Sequence, residues 1–201
     1  LTLARERGAL DPSIFDERPP FFWQSEISND RRDAYDGYMD ISTLRNFAVD
    51  ATTGVAILPA HDHRELPFGY SLTGQLDQQP DRTRVLSDAY TLRGLTIGDV
   101  QTDSFIDGVR AGIIRDVSVG FSLGENGWYR CNVCGNDLMD YRKCSHWPGY
   151  TYEVEGDDGV IRNVLATFTV IDARLVEYSP VYDGATPSAG ILKIQDAARS
   201  G

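Results

Sequence analysis

Asp116-Val117-Ser118-Val119-Gly120-Phe121 alternates apolar residues with small or polar ones. Side chains alternate across a strand, so Val117, Val119 and Phe121 share one face, while Ser118, Gly120 and Ser122 share the other. The apolar face belongs to the core. Ser118 is thereby turned toward a second surface, beside a residue with no side chain. Directly upstream the period changes: Phe105, Ile106, Val109, Ile113 and Ile114 recur at helical spacing. This predicts a helix between Thr102 and Arg115, with Thr102 or Asp103 as the cap and Gly112 weakening its last turn.

Further upstream, Val55-Ala56-Ile57-Leu58 reads as a buried strand that runs into Pro59-Ala60-His61-Asp62-His63. Histidines at a strand end are placed where function commonly sits. Before it, Leu44, Phe47 and Ala48 predict a short amphipathic helix capped by Ser42 or Thr43 and closed by Gly54. Phe21–Ile27 predicts a first strand, followed by a polar loop at 29–33. Phe68–Leu76 and Val85–Leu92 predict two strands joined by a polar connection from Asp77 to Arg84. Downstream, Tyr150–Val154 and a return strand from Val160 flank the turn Asp157-Asp158-Gly159, and residues 164–182 read as more strand. Residues 1–20 are expected to be a loosely tied N-terminal arm and 193–201 a tail, leaving one α+β domain over 21–192, mainly strands with a few helices.

The chain has 201 residues and a formal charge of −11. That balance argues against broad nucleic-acid binding, whose affinity comes from Lys and Arg neutralising phosphates. No run approaches the roughly 18 apolar residues that span a bilayer, so no membrane partner is expected. Leu-Thr-Leu-Ala-Arg-Glu-Arg lacks a signal-peptide layout, which points to a cytosol.

All three cysteines fall inside 131–144, an odd number poorly suited to disulfides. Cys131-x2-Cys134-x9-Cys144-x-His146 offers three thiolates and an imidazole, the ligand types that zinc prefers in a closed tetrahedral site. One structural Zn2+ is expected there. Cys131-Asn132-Val133-Cys134-Gly135 has the form of a zinc knuckle, and residues 131–146 read as an insertion.

With His146 given to the metal, His61 and His63 remain to act as a base near neutral pH, as a serine nucleophile requires. A carboxylate would hold the imidazole tautomer. Asp62 adjoins both histidines too closely to face them easily, which leaves Asp172 and Glu177.

Three segments occur in a suggestive order: Leu58-Pro59-Ala60-His61-Asp62 with Leu66-Pro67-Phe68-Gly69; the helix leading into Asp116–Phe121; and Leu175-Val176-Glu177-Tyr178-Ser179-Pro180-Val181 before Gly184-Ala185-Thr186-Pro187. Together they resemble the prohead serine proteases of tailed bacteriophages over residues 21–192. The resemblance implies an antiparallel β-barrel flanked by helices, related to the herpesvirus assemblin fold, and a hydrolase that cleaves capsid and scaffold polypeptides. The setting would be the immature prohead in the host cytoplasm, during virion assembly. It assigns the catalytic roles to Ser118, His61 and Glu177, and a homodimer is a further arrangement it suggests. His63 offers a competing alignment, and the Cys/His cluster lies outside the family's common pattern. Arg115 is an oxyanion contributor to weigh beside backbone amides. The competing reading is an inactive structural or assembly protein of the same fold that docks through its zinc module.

Overall fold

The computed structural model describes Thr2, Ala4 and residues 10–196. In chain order these form α1 (Ile14–Glu17), β1 (Pro20–Asn29), β2 (Gly37–Met39), α2 (Ile41–Thr53), β3 (Ala56–Ile57), β4 (Gly69–Gln79) and β5 (Arg82–Leu92). There follow β6 (Thr96–Ile97), β7 (Val100–Gln101), α3 (Thr102–Arg110), β8 (Asp116–Cys131), β9 (Thr151–Glu155), β10 (Ile161–Leu165), β11 (Phe168–Val181) and β12 (Gly190–Asp196).

Eight strands make one sheet in the order β2-β11-β3-β4-β5-β1-β12-β8, and β8 pairs again with β11. β11 is the spine. One edge takes β2 and then β3, both parallel, and the other takes β8 antiparallel along almost its whole length. The fold is therefore α+β and mostly strand, as expected. The antiparallel barrel is met only in part, because two pairings are parallel and β12 joins β8 through one residue pair, Gly190 with Asp116.

The core collects Phe21, Trp23, Ile27, Leu44, Phe47, Ile57, Val85, Ile106, Val117 and Tyr178. Each large apolar side chain buried in this way contributes roughly 1.5–3 kcal/mol. α2 lies against β4 and β11 and buries Leu44, Phe47, Ala48 and Ala51. α3 buries Phe105, Ile106 and Val109, and the Phe105 ring packs edge-on to Trp23 and Phe68 at 5.8 and 4.8 Å. No helix among the described residues is long and apolar enough to cross a membrane.

Several local expectations are corrected. Asp40 caps α2 by accepting the Ser42 amide at 2.8 Å, while Thr43 is buried and donates its hydroxyl to the Val170 carbonyl. α3 stops at Arg110, before Gly112 at φ 69°. It has no side-chain cap, because Thr102 Oγ1 is engaged with the backbone of Leu95 and Asp103 with the amide of Gly94. The polar residues Asp77 to Arg84 are mostly strand: Asp77 pairs with Arg84 and Gln79 with Arg82, leaving a tight turn at Pro80-Asp81. Their polarity reflects a solvent-facing hairpin end, with Arg84 Nε 2.7 Å from Asp77 Oδ2.

The described parts of the expected arm and tail are better held than expected. Ala4 and Phe15 pack with Leu72 in a second apolar cluster. Residues 193–196 belong to β12, which pairs with β1 from Glu26–Gly190 to Phe21–Asp196. The rest of the expected arm and tail, residues 1, 3, 5–9 and 197–201, lies outside the described residues.

Candidate active site and metal cluster

β8 and β11 bring the serine and the glutamate together by register. Ser118 is paired with Ser179, and Gly120 with Glu177. Paired residues point to the same face, as do residues two apart along a strand. The four positions therefore form a patch on one face: Ser118 opposite Ser179, and Gly120 opposite Glu177. The bulge between Leu175 and Glu177 sets this register. Gly120 is required by that arrangement, because a Cβ there would overlap Glu177 Oε1.

The third element is the turn after β3. β3 pairs with β11 at Glu177 and Tyr178, so the chain leaving it passes directly beside the patch. Ala60 and His61 both adopt left-handed backbone, at φ 49° and 61°, which costs a non-glycine residue roughly 1–2 kcal/mol. The turn is pinned to β11 by the Ala60 amide on the Pro180 carbonyl at 3.2 Å and the His61 amide on Ser179 Oγ at 3.1 Å. It aims His61 Nδ1 at Glu177 Oε1, 2.6 Å away. Glu177 is only 1% exposed, and its Oε2 accepts the Ser179 hydroxyl at 2.6 Å. A buried carboxylate is tolerated when its oxygens are paired in this way.

Ser118, His61, His63 and Glu177 all line one cavity of about 250 Å³, together with Asp33, Tyr35 and Thr186. With Nδ1 donating to a carboxylate, Nε2 of His61 is left as the basic nitrogen. The Ser118 hydroxyl makes no hydrogen bond to either histidine; such contacts commonly tighten only when substrate is bound. Burial pushes the Asp33 carboxyl above its ordinary range, against the amides of Gly37 and Tyr35 that bond to it.

No family model, curated protein or solved structure matches the chain.

The other sequence candidates occupy different places. His63 is exposed at the cavity rim and takes no part in the bond to Glu177. Asp62 turns outward to Arg64, whose hydrogen bonds hold its carboxyl below the usual range. Asp172 is committed elsewhere: it accepts Asn46 Nδ2 at 2.8 Å and the Asn126 amide at 3.2 Å at a bulge of β11. Arg115 lines a separate cavity of about 620 Å³, with Ala60, Phe105, Ile113, Asp116 and Pro180. Ser179 was missed in the sequence, although its position two residues after Glu177 on a strand places both on one face.

The Cys/His cluster is assembled from the end of one strand and the loops beyond it. Cys131 ends β8, and the Gly135 amide returns to the Cys131 carbonyl at 2.9 Å with φ 72° at the glycine. The donor atoms of Cys131, Cys134, Cys144 and His146 all lie within 4.8 Å of one another. His146 Nδ1 is 3.7 Å from Cys131 Sγ and 3.9 Å from Cys144 Sγ. Bond lengths for tetrahedral zinc set such donors about 3.5–3.8 Å apart, so the group fits one metal ion with Nδ1 as the imidazole ligand. Burial, then the neighbouring cysteines, push the Cys144 thiol up to about 11. At Cys134 burial is outweighed by the Asn136 amide and the neighbouring ligands, and the thiol falls to about 7. A bound cation would deprotonate both.

The excursion containing this cluster is longer than 131–146. β8 and β11 are still paired at Cys131 and Phe168, so everything between, including the β9–β10 hairpin, projects from one ladder end. Asn132 ties the knuckle to the hairpin through Leu165 and Thr167. The His146 ring stacks edge-on against Tyr152 at 4.6 Å.

Proposed function

We propose that this chain is a serine endopeptidase of the prohead protease type, acting on capsid and scaffold polypeptides inside the immature phage shell. The observation that carries the reading is the short contact between His61 Nδ1 and the buried Glu177 carboxylate, beside Ser118 in one cavity. The rolled sheet is accordingly read as a form of that family's barrel.

In this reading Nε2 of His61 takes the proton of Ser118 Oγ as the oxygen attacks a substrate carbonyl. Glu177 holds the ring and stabilises the imidazolium formed in that step. The imidazolium then returns the proton to the departing amine, and water releases the acyl group from Ser118 by the same sequence. The cavity past Ala60 and Asp116 gives an extended polypeptide apolar room close to the reacting serine.

Cys131, Cys134, Cys144 and His146 would hold one Zn2+ in this account. With four protein ligands the ion supplies folding free energy rather than a reactive position. Metal analysis should return about one zinc per chain.

The exposed Met139, Tyr141, Trp147 and Tyr150 around the cluster favour a second reading, an assembly protein that docks through this module without turnover. Incubation with capsid and scaffold polypeptides separates the two. The protease should process them and the Ser118→Ala variant should not, with fold and metal content unchanged. Processing that survives Ser118→Ala would overturn the enzyme assignment.

A further inference from the structure

Glu177 has two oxygens, and only one of them meets His61. A carboxylate that is free to turn about its last torsion would offer either oxygen, and at varying angles. Here the second oxygen is fixed by the Ser179 hydroxyl at 2.6 Å. The same hydroxyl accepts the His61 backbone amide at 3.1 Å. One side chain therefore touches both the carboxylate on which the imidazole leans and the backbone that carries the imidazole.

That backbone needs holding. Ala60 and His61 are consecutive non-glycine residues in the left-handed region, and such strain persists only where surrounding bonds over-determine it. The backbone bonds from the turn to β11 run to two neighbouring residues, Ser179 and Pro180. Pro180 contributes only its carbonyl. Besides the His61 ring itself, Ser179 is the side chain that ties the turn to Glu177.

We propose that Ser179 is the positioning residue of this site, locking the Glu177 carboxylate and the strained His61 backbone into one unit. It is not a second nucleophile. Its side chain is fully buried, at 0% exposure, and its proton is already donated to Glu177. Ser118, its partner across the ladder, is the one that reaches the cavity. Replacing Ser179 with alanine removes no atom that touches substrate, but it takes away the hydroxyl partner of a buried carboxylate oxygen and of a half-buried amide.

This inference rests on the protease reading, and the test keeps the two apart. Steady-state kinetics on an internally quenched peptide cleaved by the unaltered protein are compared among Ser179→Ala, Ser179→Thr, Glu177→Gln and the Glu177→Gln/Ser179→Ala double variant, with labelling by a fluorophosphonate probe alongside. Ser179→Ala should lower kcat roughly 10- to 100-fold, by analogy with the groups that orient metal ligands from behind, with KM nearly unchanged. Ser179→Thr, which keeps the hydroxyl, should recover most of the rate. Because Ser179 acts through Glu177, the double variant should be no slower than Glu177→Gln alone. Additive losses, a change confined to KM, unchanged kcat in Ser179→Ala, or a probe attached to Ser179 would each overturn the proposal. An unaltered protein that neither cleaves nor labels would instead remove the protease reading, and this inference with it.

Discussion

The cavity at Ser118 and the cluster at Cys131–His146 both gather reactive side chains, but they are built in opposite ways. At the cavity, four positions on β8 and β11 are fixed by strand register, and a turn from β3 is hydrogen-bonded onto them. In the cluster Cys131 ends the same ladder and Cys134, Cys144 and His146 come from the loops beyond it, with Met139, Tyr141 and Trp147 exposed around them. A sheet and a turn bonded to it can hold a His–Glu pair without a bound ion. A loop with little apolar core would gain its order from an ion held by these four residues.

The contrast can be broken in three places. The largest effect is expected from Glu177→Gln, which keeps the shape but lets the amide present the wrong group to Nδ1. Loss of kcat by about 10³- to 10⁴-fold is expected, with the melting temperature and metal content close to those of the unaltered protein. A rate within a few-fold of the original would show that the His61–Glu177 contact is structural. Gly120→Ala comes next, since its methyl group would displace the buried carboxylate. A shift of about 1 Å in a reacting group costs about 100-fold in rate, and overpacking a core typically costs about 1–3 kcal/mol of stability. Denaturant unfolding and peptide cleavage on one preparation measure both. Wild-type activity in this variant would mean that Glu177 has room to spare.

The smallest catalytic effect should follow chelation of the metal. Melting should move to lower temperature, and amide exchange should rise across 132–167, while cleavage of a short peptide stays within a few-fold. The ladder from Ser118–Ser179 to Gly120–Glu177 does not pass through the cluster. Peptide cleavage that disappears in step with the metal would show that the two regions are one unit.

The same contrast explains what could be read from the sequence. The ligand set is local, and the spacing of three cysteines and a histidine was enough to define it. The strand around Ser118 was also legible, because alternation over Val117, Val119 and Phe121 is a local signal. The pairing of His61 with Glu177 depends on β11 lying between β3 and β8, a long-range fact that periodicity does not carry. The order of the motifs hinted at it through resemblance. The choice between Glu177 and Asp172 hung on a single bulge, since Asp172 faces Asn46 and Asn126. β12 was missed because Gly190-Ile191-Leu192-Lys193-Ile194 is a short and weak pattern, held by pairing with β1 rather than by its own composition.

The most direct test of the account is reaction of the intact protein with a fluorophosphonate probe, followed by peptide mapping of the modified residue. The account predicts labelling at Ser118 that is lost in Ser118→Ala and greatly slowed in His61→Ala. An unlabelled protein, or a probe found on another serine at the same rate in both variants, would contradict it.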